Sequence, residues 1–249
     1  MEDTLRYIMD IGEQMLINGA EVHRVEDSVK RMCTAMGAKR TDVFIITSNM
    51  VTTVYTEDDA SFTQSRRIFA SGTDIERLHR LNALSRKICA QHLSLEEIRS
   101  EYEDILNCKQ YPFWFQCVAC AMIAGSFTLF FGGTYPEALI SLIIGVLVKF
   151  IVRFTEYALM NKIFAKFICT FLASVIAYGT VRMGWIYSID SIIIGNIMVL
   201  IPGIGLTNAL RDLFTGDSIA GILRTVEAVL SALAIAAGYF LFTCTLGGL

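Results

Sequence analysis

Histidine and proline are scarce: 249 residues contain three of each, with only two tryptophans. Three histidines and no HExxH or comparable spacing leave little from which to build a metal site, so neither metal nor cofactor is expected. A net charge of −3 excludes the broad basic surface that a nucleic-acid partner requires. The opening MEDTLRYIMDIGEQ lacks the basic end and apolar centre of a signal peptide, which predicts an uncleaved, cytoplasmic amino terminus. Seven cysteines are scattered along the chain, and the one CxxC, Cys117 to Cys120, sits in an apolar run without a histidine. Packing by reduced thiols fits all seven.

Charge is also missing from most of the second half. Residues 1–109 carry 32 of the 45 Asp, Glu, Lys and Arg residues, and residues 110–249 carry the other 13. The distribution predicts a small cytosolic α+β domain, 1–109, followed by a five-helix transmembrane domain, 110–249, in an α-helical multi-pass membrane protein.

In the first segment Leu5, Ile8, Met9, Gly12, Met15 and Leu16 recur at helical spacing, and Asn18-Gly19 ends the run. Val22, Val25, Val29, Met32, Cys33 and Met36 form a second stripe, stopped by Gly37. Strands are predicted over 42–47, 51–56 and 62–69, the first two as a hairpin. After Ser71-Gly72, capping boxes Thr73-x-x-Glu76 and Ser94-x-x-Glu97 open two more helices, the first with Ile75, Leu78, Leu81 and Ile88 on one face.

In the second segment Glu137 is the sole charge between Lys109 and Lys149, and GGTYP at 132–136 divides the stretch. Spans are predicted over about 113–132, 137–152, 166–184, 189–209 and 225–247, with Tyr111, Trp114, Trp185 and Tyr187 near their ends as interface aromatics. Lys149, Arg153, Lys162 and Lys166 surround the second connection and make it cytoplasmic, which leaves the carboxyl terminus extracytoplasmic. Membrane lipid is therefore one partner. Gly125, Gly132, Gly145, Gly195 and Gly221 allow close helix approach, so a homo- or hetero-oligomer is expected.

The stretch GNIMVLIPGIGLTNALRDLFTGDSIAGILR, 195–224, interrupts one of these spans. Proline removes a donor and clashes with the preceding turn, so Pro202-Gly203 predicts a broken helix near 201–206. Backbone groups freed at membrane depth are tolerated where protein or a water-filled cavity surrounds them. A packing kink and a solute site both fit. The candidate substrate-binding residues are Asn196, Pro202, Gly203, Asn208, Arg211, Asp212, Asp217, Arg224 and Glu227. Arg211 or Arg224 would attract a carboxylate, and the alternative is a mutually paired loop. Glu137 fits a helix cap better than a proton carrier.

A second cluster, Glu21, His23, Arg24, Glu26 and Asp27, opens the second helix. His23 and Asp27 share a face and could orient an imidazole, but no nucleophile accompanies them, and acidic residues also suit a helix start. No catalytic residue is assigned.

The segments NGAEVHRVEDSVKRMCTAMGA (18–38), GTDIERLHRLNALSRKI (72–88) and LIPGIGLTNALRDLFTGDSIAGILRTVEA (200–228) resemble the threonine/serine exporter family in the same order, over nearly the whole chain. The resemblance implies a bacterial inner-membrane transporter, not an enzyme, that exports small hydrophilic carboxylates such as threonine and serine. Fused members carry a second membrane half, and this chain stops where that half would begin. It is thus similar to the split form, in which a separate small membrane protein supplies the missing half and which is associated with export of a dicarboxylate such as succinate. The alternative is a membrane-tethered hydrolase-like or regulatory domain.

Overall fold

The structure, a computed structural model, describes residues 2–69, 72–91, 93–186 and 188–246. Its contacts divide it into two compact units, Met1–Lys109 with Ile204–Val226, and Gln110–Gly203 with Glu227–Leu249. The segment 204–226 thus packs with the amino-terminal residues.

The first unit starts with α1 (Glu2–Ile17) and α2 (Val22–Ala35), continues through β1 (Arg40–Ile46), β2 (Asn49–Tyr55) and β3 (Ser61–Arg67), and adds α3 (Ile75–Gln91) and α4 (Leu95–Leu106). The strands form an antiparallel sheet in the order β1-β2-β3, with Phe44 opposite Val51 and Val51 opposite Ser65. All six stripe residues of α1 are buried, as are Val22, Val25, Val29, Met32 and Cys33 of α2. The stripes meet Met50, Val54, Leu81, Ile88 and Ile98 in one core. Burial in that core pushes the Cys33 thiol up to about 12, so it packs as an apolar group.

Two details of α3 differ from expectation. Asp74 rather than Thr73 accepts at the helix start, taking the Arg77 N–H at 2.9 Å, because its carboxylate is the stronger acceptor for an orphan donor. Ile75 is 56% exposed, and the buried face runs through Leu81, Leu84, Ser85 and Ile88. Ser71 lies outside the described residues. The second capping box forms: the Ser94 N–H donates to Glu97 Oε2 at 2.8 Å, and the Glu97 N–H to Ser94 Oγ at 3.4 Å.

The second unit contains α5 (Phe113–Phe130), α6 (Tyr135–Tyr157), α7 (Lys162–Arg182) and α8 (Asp190–Leu200). Then α9 (Gly203–Thr215) and the start of α10 (Ser218–Thr245) lie largely in the first unit, and the rest of α10 returns to the second. Among the described residues α5, α6, α7 and α10 are long and apolar enough to cross a membrane, and α8 with α9 forms one broken span or re-entrant segment. The chain is therefore a helical membrane protein with an amino-terminal α+β domain.

Charge ended the expected spans too early. α6 runs on to Tyr157 through Lys149 and Arg153, α7 begins at Lys162, and α10 begins at Ser218, well before Arg224 and Glu227. Lys, Arg and Glu are good helix formers and extend helices past the hydrocarbon edge. Gly216, at φ +100°, is what separates α9 from α10. Tyr187 lies outside the described residues. Glu137 is buried at the start of α6 and accepts the Thr134 N–H at 2.7 Å, which is a cap.

Small residues set how closely α5, α6 and α8 approach. A Cβ on Gly145 would sit 2.9 Å from the Ala124 Cβ, and one on Gly195 would overlap Thr128 Oγ1 and lie 2.7 Å from the Ala124 carbonyl. Gly195→Ala should therefore cost about 1–3 kcal/mol, read as a lower thermal midpoint of the purified protein; an unchanged midpoint would refute this packing.

Glu26 joins α2 to the sheet, its Oε1 accepting the outward Ile45 N–H of β1 at 3.0 Å. Burial, with nearby Asp217 adding to it, raises its pKa above the ordinary 4.5, against the Ile45 hydrogen bond and His23. For an acid with a raised folded value, the stabilising contribution is complete below the unfolded value and is lost as pH rises through the folded one. Denaturant midpoints should accordingly fall from about pH 4.5 upward, and Glu26→Gln, which keeps an acceptor for Ile45, should flatten that slope.

Candidate functional site

The loop joining α1 to α2 turns at Gly19, whose φ of +96° suits glycine. Asn18 Nδ2 and the Ala20 N–H fold back onto α1, donating to the carbonyls of Gln14 at 2.7 Å and Met15 at 2.9 Å. The next helix starts without a side-chain cap, so donors of its first turn need partners elsewhere.

One such partner is Asp212 of α9, and side chains of α9 and α10 also donate to carbonyls of the loop. Asn208 Nδ2 donates to the Gly19 carbonyl at 2.9 Å, and Arg224 Nη2 to the Ala20 carbonyl at 2.9 Å. Asp212 Oδ1 accepts the Val22 N–H at 3.2 Å, while its Oδ2 pairs with Arg224 Nη1 at 2.9 Å. Asp212 is completely buried, and the Arg224 side chain is 13% exposed. Glu21 bridges Arg211 and Arg24, the latter at 3.2 Å. The two clusters read separately from the sequence are in this way one clasp, with Arg224 directed at Asp212 and the loop.

Other candidates stand apart. Asp27 pairs with Arg31 Nε at 2.8 Å, and His23 is exposed, so no oriented imidazole forms. The Asp217 N–H donates to the Asp212 carbonyl at 2.9 Å, and its buried Oδ2 has no partner among the described residues. Glu227 is exposed on α10. Among the described residues no group of three or more His, Cys, Asp or Glu side chains is placed to hold a metal. Sequence reasoning missed Gly19, Ala20 and Val22, which act through backbone atoms. The signal was available in a helix start carrying none of Ser, Thr, Asp or Asn.

In the second unit the break falls where proline put it. Ile201 is extended, at φ −68° and ψ 128°, and the Gly203 N–H turns back to the Ile201 carbonyl at 2.9 Å. Pro202 has no N–H, so the Met198 carbonyl loses its helical donor. Asn196, on the preceding turn, is 2% exposed. Its Nδ2 donates to Ser141 Oγ and to the Ile192 carbonyl, both at 2.9 Å, and Ser141 Oγ lies 2.7 Å from Thr128 Oγ1. Among the described residues Asn196 Oδ1 has no hydrogen-bond partner. A short polar row thus lies inside otherwise apolar helices and ends in one unused acceptor.

The model of the family described as "Putative threonine/serine exporter" matches residues 6–246. The chain belongs to that family. One relative within reach of this exporter family chain is the "Probable succinate transporter subunit YjjP" of Klebsiella aerogenes, 23% identical over 227 residues, covering 90% of this chain and 86% of that protein. No solved structure gives a significant match. Two of the three stretches that carry the family resemblance, 18–38 and 200–228, are the ones the clasp joins.

Removing one member of a buried pair leaves the other charge unanswered. Arg224→Ala and Asp212→Ala should each lower the stability of the exporter chain by about 3 kcal/mol, while the double variant loses clearly less than the two together. Strict additivity in denaturant unfolding would show that the pair does not act as a unit.

Proposed function

We propose that the chain is an export subunit of the bacterial inner membrane that moves a small hydrophilic carboxylate, either an amino acid such as threonine or serine or a dicarboxylate such as succinate. Family membership supports the transport class, and the word "subunit" in the name of the Klebsiella aerogenes relative supports a second chain. That second chain is a separate small membrane protein supplying the other half. In this reading the broken pair of α8 and α9 is the fourth of five spans, the α+β domain is cytoplasmic and the carboxyl terminus extracytoplasmic, in line with the basic residues from Lys149 to Lys166.

The observation that carries the reading is Asn196. A buried amide oxygen without a partner is costly in hydrocarbon, and its place on the turn before a proline break is where discontinuous helices of transporters meet solute. Pro202 enforces the break by removing a backbone donor, and Gly203 leaves open space beside it. Asn208, Arg211, Asp212 and Arg224 contribute by tying α9 and α10 to the 18–22 loop, and Asp217 bonds to the Asp212 carbonyl at the turn between the two helices. Arg211, half exposed, keeps donors for a carboxylate, and Glu227 lies on the exposed side of α10.

Efflux of labelled serine, threonine and succinate, from cells expressing this chain with and without a small four-helix membrane partner, tests the proposal. Asn196→Ala should slow efflux about tenfold, the equivalent of one buried hydrogen bond of ~1.4 kcal/mol, with membrane levels unchanged. Wild-type efflux from that variant would remove Asn196 from the pathway.

A further inference from the structure

The first unit contains a cleft of about 330 Å3 between α2 and α3, away from the clasp, lined by Asp27, Ser28 and Arg31 on one side and Asn82, Ser85, Arg86, Cys89 and Ala90 on the other. Its charged side chains are unequal. Arg31 is held by Asp27 at 2.8 Å, whereas Arg86 forms no ion pair among the described residues. The lining therefore carries one carboxylate against two guanidinium groups, a local excess of one positive charge. Ser28, Ser85 and Asn82 add neutral polar groups beside it.

We propose that this cleft binds a small anion, a carboxylate or a phosphate, with Arg86 and Arg31 as charge partners and the two serines and Asn82 as hydrogen-bond partners. Guanidinium forks match the paired oxygens of both anions, and the volume lies at the lower end of small-molecule sites. Asp27 occupies one side of Arg31 and repels highly charged ligands, which favours a single carboxylate or phosphate group over a polyphosphate. The lining has no activated nucleophile. Burial raises the Cys89 thiol, Asp27 adds to that, and Arg31 only partly opposes it, so the sulfur stays protonated and the site binds without reacting. Because α2 carries the cleft on its middle turns and the clasp at its start, the ligand occupies the helix whose first residue α9 holds.

Cys89 supplies a local readout. The full-length protein in detergent is treated with N-ethylmaleimide, and alkylation of Cys89 is followed by peptide mass spectrometry with Cys108 as internal reference. Sodium succinate and sodium phosphate are compared at ionic strength matched with sodium chloride. One or both anions should slow Cys89 alkylation about tenfold at nine times the Kd, leaving Cys108 unchanged, and the one that protects identifies the source. Arg86→Gln should abolish protection, Arg86→Lys should retain part of it, and Asn196→Ala should leave it intact, whatever that variant does to efflux. No protection by either anion, equal protection by chloride, or full protection in Arg86→Gln would each overturn the site.

Discussion

A carboxylate with no exposed surface has to be answered, and Asp212 is answered by Arg224 on one oxygen and by the Val22 N–H on the other. Arg224 then carries the constraint onward to the Ala20 carbonyl, closing a ring of contacts through side chain, loop and helix start. Each member of the ring removes a buried group that would otherwise lack a partner, so shifting one of α9, α10 or the 18–22 loop exposes the others. Ala209 and Gly221 provide the closeness this needs. Ala209 is fully buried, and a Cβ on Gly221 would come within 2.6 Å of Leu213. The turn at Gly216 brings Asp212 and Arg224 together across twelve residues.

Much of the first unit was legible because amphipathic helices write their buried face into the spacing. Leu5, Ile8, Met9, Gly12, Met15 and Leu16 could be read one by one and are all buried. The ends of the membrane helices were not, since charge marks where hydrocarbon stops but not where hydrogen bonding stops. Lys149, Arg153 and Arg224 all lie inside continuous helix. The His23 and Asp27 pairing shows the limit of spacing arithmetic: Arg31 is also four residues from Asp27, and a permanent cation with a planar fork takes the carboxylate. The clasp was hidden for a different reason. Its loop partners are main-chain atoms of Gly19, Ala20 and Val22, separated by about 190–204 residues from the side chains that bind them, and side-chain patterns do not record backbone demand.

The break at Pro202 was legible, but the state of Asn196 was not, and that state bears on what the proposed pathway would select. Both Nδ2 hydrogens are used, one on Ser141 and one on the Ile192 carbonyl, and a carbonyl can only accept, so the amide orientation is determined. The unused atom is therefore an acceptor and seeks a donor. Serine and threonine bring an ammonium and a hydroxyl, whereas a fully ionised dicarboxylate brings no donor and would reach Asn196 only when protonated or through water. In the export reading, then, Asn196 favours the donor-bearing part of a solute, and a carboxylate must be met elsewhere. Within the clasp of the first unit, Arg211 keeps exposed donors, whereas Arg224 is committed to Asp212 and the Ala20 carbonyl.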